Sequence, residues 1–320
     1  MKLPDLELYD FHCDTALSCL RNGVSLTDPN NGLHISLGRE LPYKRFVQTL
    51  AVFSSPSLSN DEGWETFLKA AELIKAQSAG FPTNFGWILA VEGGNILNND
   101  LSRLDRMAEL GVKFLTLVWG GWGCIGGAHS DPEGRGLTDF GAAVVRRCYE
   151  LGIIPDVSHS SDKSFWMTSE IAGELGGTLI ATHSNSRSIC PHKRNLTDAQ
   201  FTRIVNLGGV AGLNFCRNFI VANGDSVPCA IDDIVPHIER FMSLGGEDSV
   251  VMGADLDGTS PLPLASGHKN APEIIGAEEL YLLADRLLQL NYSEKQVRKI
   301  FSENAKAFLK RNDINEQILH

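Results

Sequence analysis

The feature that most constrains this chain is a rhythm of short apolar runs. They fall at 6–11, 46–53, 85–91, 112–118, 153–157, 178–182, 210–215 and 249–253. Most are followed by a stretch with helical spacing, at 63–77, 101–110, 138–151, 162–175, 197–206 and 231–244. Near-continuous apolar runs of this length, bounded by Gly, Asp or Asn, read as buried strands of a parallel sheet. Alternation with helices then predicts an α/β fold, a closed parallel (β/α)8 TIM barrel. Two last helical stretches, 277–290 and 294–310, predict extra C-terminal helices packed outside it. The connection at 19–43 shows no clear helix. With no internal repeat, low-complexity tract or linker, residues 1–320 read as a single domain.

In such barrels the chemistry lies at the C-terminal ends of the strands. Several runs here stop on a polar residue there. The first ends in His12-Cys13-Asp14, the third in Glu92, the fifth in His159, the sixth in His183 and the eighth in Asp255. Residues two apart on a strand point the same way, so His12 and Asp14 are expected to project together and Cys13 to pack on the opposite side. Each residue also has an ordinary explanation. His159 could be a hydrogen-bonded core histidine, Glu92 a turn acid, and Asp255 and Asp257 turn residues ahead of Gly258. Joint placement at one end of successive strands favours a metal centre over a set of unrelated explanations.

The donor set suggests two ions, because a single catalytic zinc needs only three protein ligands. His12 and Asp14 would hold one ion and His159 and His183 the other, leaving Glu92 to bridge ions ~3.5–4 Å apart.

Composition excludes other classes. A net charge of −11 is wrong for a phosphate backbone, so no nucleic-acid partner is expected. The loop at 120–136 is rich in glycine but lacks a phosphate-loop Lys-Ser/Thr. No run approaches a membrane span, no signal peptide is visible, the C-terminus is polar, and the seven Cys are scattered without a CxxC pair. A cytoplasmic location with reduced thiols is the expectation.

Taken together, Asp10-Phe11-His12-Cys13-Asp14-Thr15, Glu92-Gly93-Gly94, Gly136-Leu137-Thr138-Asp139-Phe140-Gly141, Leu151–His159, Thr182-His183-Ser184, His192-Lys193-Arg194-Asn195 and Gly253–Gly258 resemble the renal (membrane) dipeptidase family of zinc peptidases, within the metal-dependent amidohydrolase barrels. The segments occur in the family's order and span nearly the whole chain. The resemblance implies two Zn²⁺ ions bridged by Glu92, with His12 and Asp14 on one and His159 and His183 on the other. It implies Asp255 as the acid/base and Arg194 as the grip on a substrate carboxylate. The implied activity is hydrolysis of the amide of a dipeptide, including one with a C-terminal D-residue. A homodimer is expected by resemblance.

One departure is visible. The family carries a His after the fourth strand, where this chain has Trp119, so Trp119 is a candidate substrate-binding residue and His129 a candidate helper. An indole N–H donates one hydrogen bond and cannot become a cation. Two rival readings remain. One is another metal-dependent amidohydrolase acting on a cyclic amide, an N-acyl amino acid or a lactone. The other is a barrel that binds without catalysis.

Overall fold

The apolar runs pair as parallel strands whose two faces are both covered. In the computed structural model, which describes residues 5–267 and 271–315, seven strands form one sheet. They are β1 Glu7–Cys13, β2 Arg45–Phe53, β3 Phe85–Glu92, β4 Val112–Thr116, β5 Ile154–Asp156, β6 Ala211–Leu213 and β7 Val250–Met252. Their order is β5-β4-β3-β2-β1-β7-β6, and every pairing is parallel. The N-terminal tetrapeptide and the last residues of the polar tail lie outside the described residues.

The sixth expected run, 178–182, is not a regular strand. It makes single parallel bridges, Ile180 to Asp156 and Ala181 to Ala211, and so lies between the two ends of the sheet. The Thr182 carbonyl packs so closely on Gly212 and Gly253 that a Cβ at either would stand 1.9 Å from the oxygen. Only glycine permits that approach.

Helices follow the strands. They are α1 Thr15–Asn22, α2 Asn60–Gln77, α3 Leu101–Glu109, α4 Asp139–Leu151, α5 Asp162–Glu174, α6 Asp198–Asn206, the one-turn α7 Arg217–Ile220, α8 Val235–Ser243, α9 Tyr281–Gln289, α10 Glu294–Arg298 and α11 Asn304–Arg311. Helix α1 occupies the start of the connection whose pattern was unreadable. Local chemistry fixes several starts. Ser59 with Glu62, and Thr197 with Gln200, form reciprocal capping boxes. Thr138 accepts from the Gly141 N–H at 2.9 Å and opens α4 as expected.

The C-terminal stretch 294–310 is not the continuous helix its spacing predicts. A π-turn at Lys299–Glu303 separates α10 from α11. Ile300, Phe301 and Ser302 are all buried, and three consecutive residues cannot share one narrow α-helical face. Asn304 then anchors α11 by donating to the carbonyls of Glu247 and Val250.

Two apolar layers result. One packs the outer face of the sheet against the helices and includes Cys13, which is fully buried there. The other lies on the inner, concave face and contains Phe11, Ile88, Phe114, Ile154, Ile180 and Val251, closed below by Phe308 of α11. The Phe308 ring stands 6.0 Å from that of Phe11 and 6.4 Å from that of Phe114. No helix among the described residues is long and apolar enough to cross a membrane.

Candidate metal centre

Above the inner apolar layer the side chains turn polar. On β3, Ile88, Ala90 and Glu92 share one face by strand alternation, so Glu92 continues the inner layer upward. Three imidazoles converge on its Oε1: His159 Nε2 at 3.0 Å, His183 Nε2 at 3.2 Å and His12 Nε2 at 3.6 Å. His159 Nε2 and His183 Nε2 are 3.1 Å apart, and the His12 and His183 rings stack at 3.6 Å. Asp255 Oδ1 lies 3.9 Å from His12 Nε2. Two donor triads result, His12–Glu92–His183 and His12–Asp14–Asp255, each with its ligand atoms within 4.8 Å of one another. His12 belongs to both.

Backbone geometry serves this convergence. The β1–β2 register shifts between Asp10 and Cys13, and this bulge re-aims His12. Asp14 lies beyond the strand, at the N-cap of α1, yet its side chain makes no capping bond. His159 and Asp255 adopt left-handed backbone angles, φ 67° and 62°. Such conformations are costly for residues with a Cβ and concentrate at functional sites. Gly258 leaves the space between the carboxylates open. A Cβ there would stand 2.2 Å from Asp14 Oδ2 and 2.4 Å from Asp255 Oδ1.

These residues fit a divalent metal. His12 Nε2, Asp14 Oδ1 and Glu92 Oε1 are buried without a hydrogen-bond partner among the described residues. Buried polar atoms in that condition are rare and call for an explanation. Electrostatics agree. Burial, then the Glu92 charge, push Asp14 well above the usual carboxylate range. Burial also opposes ionisation of Glu92, but the charge of His12 holds it well below the usual range. Burial lowers the His12 pKa, yet Glu92, Asp255 and Asp14 outweigh it and bring the value to about 10. The cluster therefore draws in positive charge, which a cation can supply in place of the His12 proton. His159, lowered to about 3 by burial and Arg194, and His183, held well below its usual value by burial, His12 and Arg194, are neutral and able to ligate.

Around the cluster, Arg194 is 3 % exposed, which rules out the surface ion pair with which its sequence context is compatible. Two of its five N–H groups serve the protein, donating to Ser184 Oγ and to the His183 carbonyl. Its Nε has no partner among the described residues. Trp119 is half-buried, packed on Phe53 at 4.7 Å and 5.7 Å from the His159 ring. His129, from the glycine-rich loop, lies 5.5 Å from the His159 ring, and its backbone N–H donates to the His159 carbonyl. It is no free loop histidine: burial, then Arg194, lower it to about 4. Asp257 belongs to the scaffold, accepting from Thr15 Oγ1 and from the His34 N–H.

Some polar residues had no separate signal in the sequence. Asn214 donates to Asp255 Oδ2 at 3.0 Å, and Asp156 accepts from Thr116 and Thr182. Asp156 and Thr182 stand within the motifs quoted above, but nothing in their spacing distinguishes them.

Residues 44–318 match the membrane dipeptidase family, peptidase family M19. The chain belongs to that family. It is accordingly a metal-dependent hydrolase, a metallo-dipeptidase with a peptide substrate. Among solved structures, the membrane dipeptidase fold recurs in the dipeptidase AC, an M19 metallopeptidase (TM-score 0.81, 25 % identity, covering 96 % of this chain and 99 % of that one). A metallopeptidase from Rhodobacter sphaeroides, liganded with a phosphinate mimic of L-Ala-D-Ala, has the same fold (TM-score 0.79, 24 % identity, 96 % and 99 % covered). By sequence, an uncharacterised protein in the pqqA 5′ region of Klebsiella pneumoniae is 35 % identical over 217 residues, 63 % of this chain and 78 % of that protein. An uncharacterised protein in the PQQ-III 3′ region of Acinetobacter calcoaceticus is 35 % identical over 162 residues, 48 % of this chain and 50 % of that protein.

Proposed function

We propose that this chain is a binuclear zinc dipeptidase built as one domain on a closed eight-run barrel, with the segment around Ile180 and Ala181 completing the ring. The observation that carries the reading is the convergence of His12, His159 and His183 Nε2 on Glu92 Oε1, beside the unpartnered Asp14 Oδ1. His12, Asp14 and Glu92 would hold one ion, and Glu92, His159 and His183 the other.

Bound zinc supplies Lewis-acid polarisation of the amide carbonyl and a water acidic enough to attack it near neutral pH. The chain's own residues do the rest. Asp255, oriented by Asn214, takes the water's proton and returns it to the leaving amine. Arg194 holds the C-terminal carboxylate with the N–H groups that Ser184 and the His183 carbonyl leave free. Trp119 lines the substrate side with an apolar face and one N–H donor. Fixing a carboxylate close to the reacting amide limits the substrate to very short peptides. A carboxylate clamp reads the terminus rather than the side chain, so a C-terminal D-residue is accepted. The enzyme acts as a homodimer in a reducing, cytoplasmic setting, which its seven free thiols support.

Metal analysis of the purified protein, combined with a dipeptide panel that includes L-Ala-D-Ala, tests the reading. Two zinc ions per chain and hydrolysis of dipeptides but not longer peptides are expected. Glu92→Gln should lose at least one ion, and full retention of both would remove Glu92 from its bridging role. Absence of both metal and hydrolysis would favour the non-catalytic barrel.

A further inference from the structure

Beneath the imidazoles lies a buried hydroxyl that the proposed reaction does not use. Thr182 Oγ1 lies 2.6 Å from Asp156 Oδ2 and 2.7 Å from His183 Nδ1. It also faces His12 Nδ1 at 3.5 Å, at the outer limit of a hydrogen bond. Thr182, Asp156, His12 and His183 are each at most 1 % exposed, so bulk solvent does not arbitrate among these contacts.

The supply of protons around Asp156 sets the direction of each bond. Four donors converge on Asp156: the N–H groups of Ser158 and Thr182 on Oδ1, and the hydroxyls of Thr116 and Thr182 on Oδ2. A carboxylate accepts all four and donates none. Thr182 has one hydroxyl proton, and Asp156 takes it. What Thr182 turns toward His183 Nδ1 is therefore a lone pair, so the hydrogen in that bond belongs to the imidazole. A neutral imidazole with its proton on Nδ1 has a bare Nε2. That Nε2 is the atom facing Glu92 Oε1 and His159 Nε2.

We propose that Asp156 and Thr182 form a positioning pair that locks His183 in the Nδ1–H tautomer and presents its Nε2 lone pair to a metal ion. The other side of the same hydroxyl faces Ser158 Oγ at 3.4 Å and His12 Nδ1 at 3.5 Å, contacts too long to orient either group. His159 differs, since its Nδ1 has no partner among the described residues. Its tautomer is free to follow the metal, whereas that of His183 is fixed beforehand. The backbone secures the arrangement: Gly212 and Gly253 admit the Thr182 carbonyl at a distance no other residue would allow. Outer groups of this kind typically change metal affinity 10–100-fold.

The inference rests on the metal-centre reading, but it is tested first without metal. In chelator-treated, 15N-histidine-labelled wild-type protein at neutral pH, the His183 nitrogen shifts should report a protonated Nδ1 and a bare Nε2. A proton on Nε2 overturns the proposal, whatever metal later binds. Zinc affinity is then measured by chelator competition for the wild type, Thr182→Val, which keeps the shape and removes the hydroxyl, and Thr182→Ser, which keeps the hydroxyl. Val should weaken zinc binding about 10–100-fold. It should also mix the His183 tautomers, whereas Ser should stay within about threefold of wild type. Wild-type affinity in Val, or equal losses in Val and Ser, would make Thr182 a packing residue only. If Val does not fold, the wild-type tautomer and the Ser affinity still decide. Failure of the wild type to bind zinc sinks the metal-centre reading separately.

Discussion

At the scale of single residues, the site is governed by what burial does to charge. Asp255 is the clearest case. Burial raises it to about 6, with His12 and Arg194 opposing and Glu92 adding to the rise. To accept a proton it must be ionised, so kcat/KM should fall as pH drops through an apparent pKa at or below about 6, a bound metal lowering it further. Asp255→Asn should keep its metal and lose on the order of 10²–10⁴ in kcat, checked by metal analysis beside steady-state kinetics. Wild-type-like turnover would remove Asp255 from the mechanism. The same substitution has a signature in stability. A carboxyl whose folded pKa is raised favours the fold at low pH and loses that contribution as pH rises through the folded pKa. In metal-free protein, wild type should therefore lose about 1–3 kcal/mol relative to Asp255→Asn between pH 4 and 7, read from chemical denaturation. Gly258 gives a steric counterpart. Its missing Cβ would stand between Asp14 and Asp255, so Gly258→Ala should weaken metal binding and activity together while the circular dichroism spectrum stays native.

At the scale of elements, β1 and β3 carry His12 and Glu92, and the segments that follow the strands carry Asp14, His159, His183 and Asp255. The glycine-rich segment 120–136 is held against the helix that follows it. Thr138 accepts from the Gly141 N–H and donates to the Cys124 carbonyl at 2.5 Å, pinning the loop's end to the start of α4. A Cβ on Gly141 would stand 1.9 Å from the Ile125 carbonyl, so the loop lies directly against the helix N-terminus. Thr138→Ala should cost about 1–2 kcal/mol of stability, measured by denaturation, and leave the metal content unchanged. Loss of metal in that variant would show that the loop, and His129 upon it, supports the centre more directly. The start of this helix at 138 was readable in the sequence. The π-turn before α11 was not, because it answers the need to bury three consecutive residues against strands distant in the chain.

At the scale of the molecule, the metal centre stands on a sealed apolar plug. Phe308, on a helix almost 300 residues from β1, fills the bottom of the inner layer against Phe11 and Phe114. Phe308→Ala should cost about 3–5 kcal/mol, seen as a lowered midpoint in thermal or urea unfolding. Metal content of the folded fraction should be retained, since the cavity opens below the polar layer and not within it. A loss of stability under ~1 kcal/mol would mean that the inner layer collapses to fill the space.

The sequence by itself determined which side chains reach the top of the sheet. Apolar runs ending in His12, Glu92, His159, His183 and Asp255 are a local pattern, and local patterns survive in one dimension. The alternation of strand and helix was legible for the same reason. Run 178–182 was the exception, since its pairing depends on neighbours at Asp156 and Ala211 and not on its own composition. Only the tertiary structure decided that three Nε2 atoms share one carboxylate oxygen, that Asp14 is released from capping, and that Arg194 is buried. It also decided that Thr182 Oγ1 lies 2.7 Å from His183 Nδ1. Those are questions of direction and desolvation. They depend on how a curled sheet brings distant segments together, which composition and periodicity do not encode.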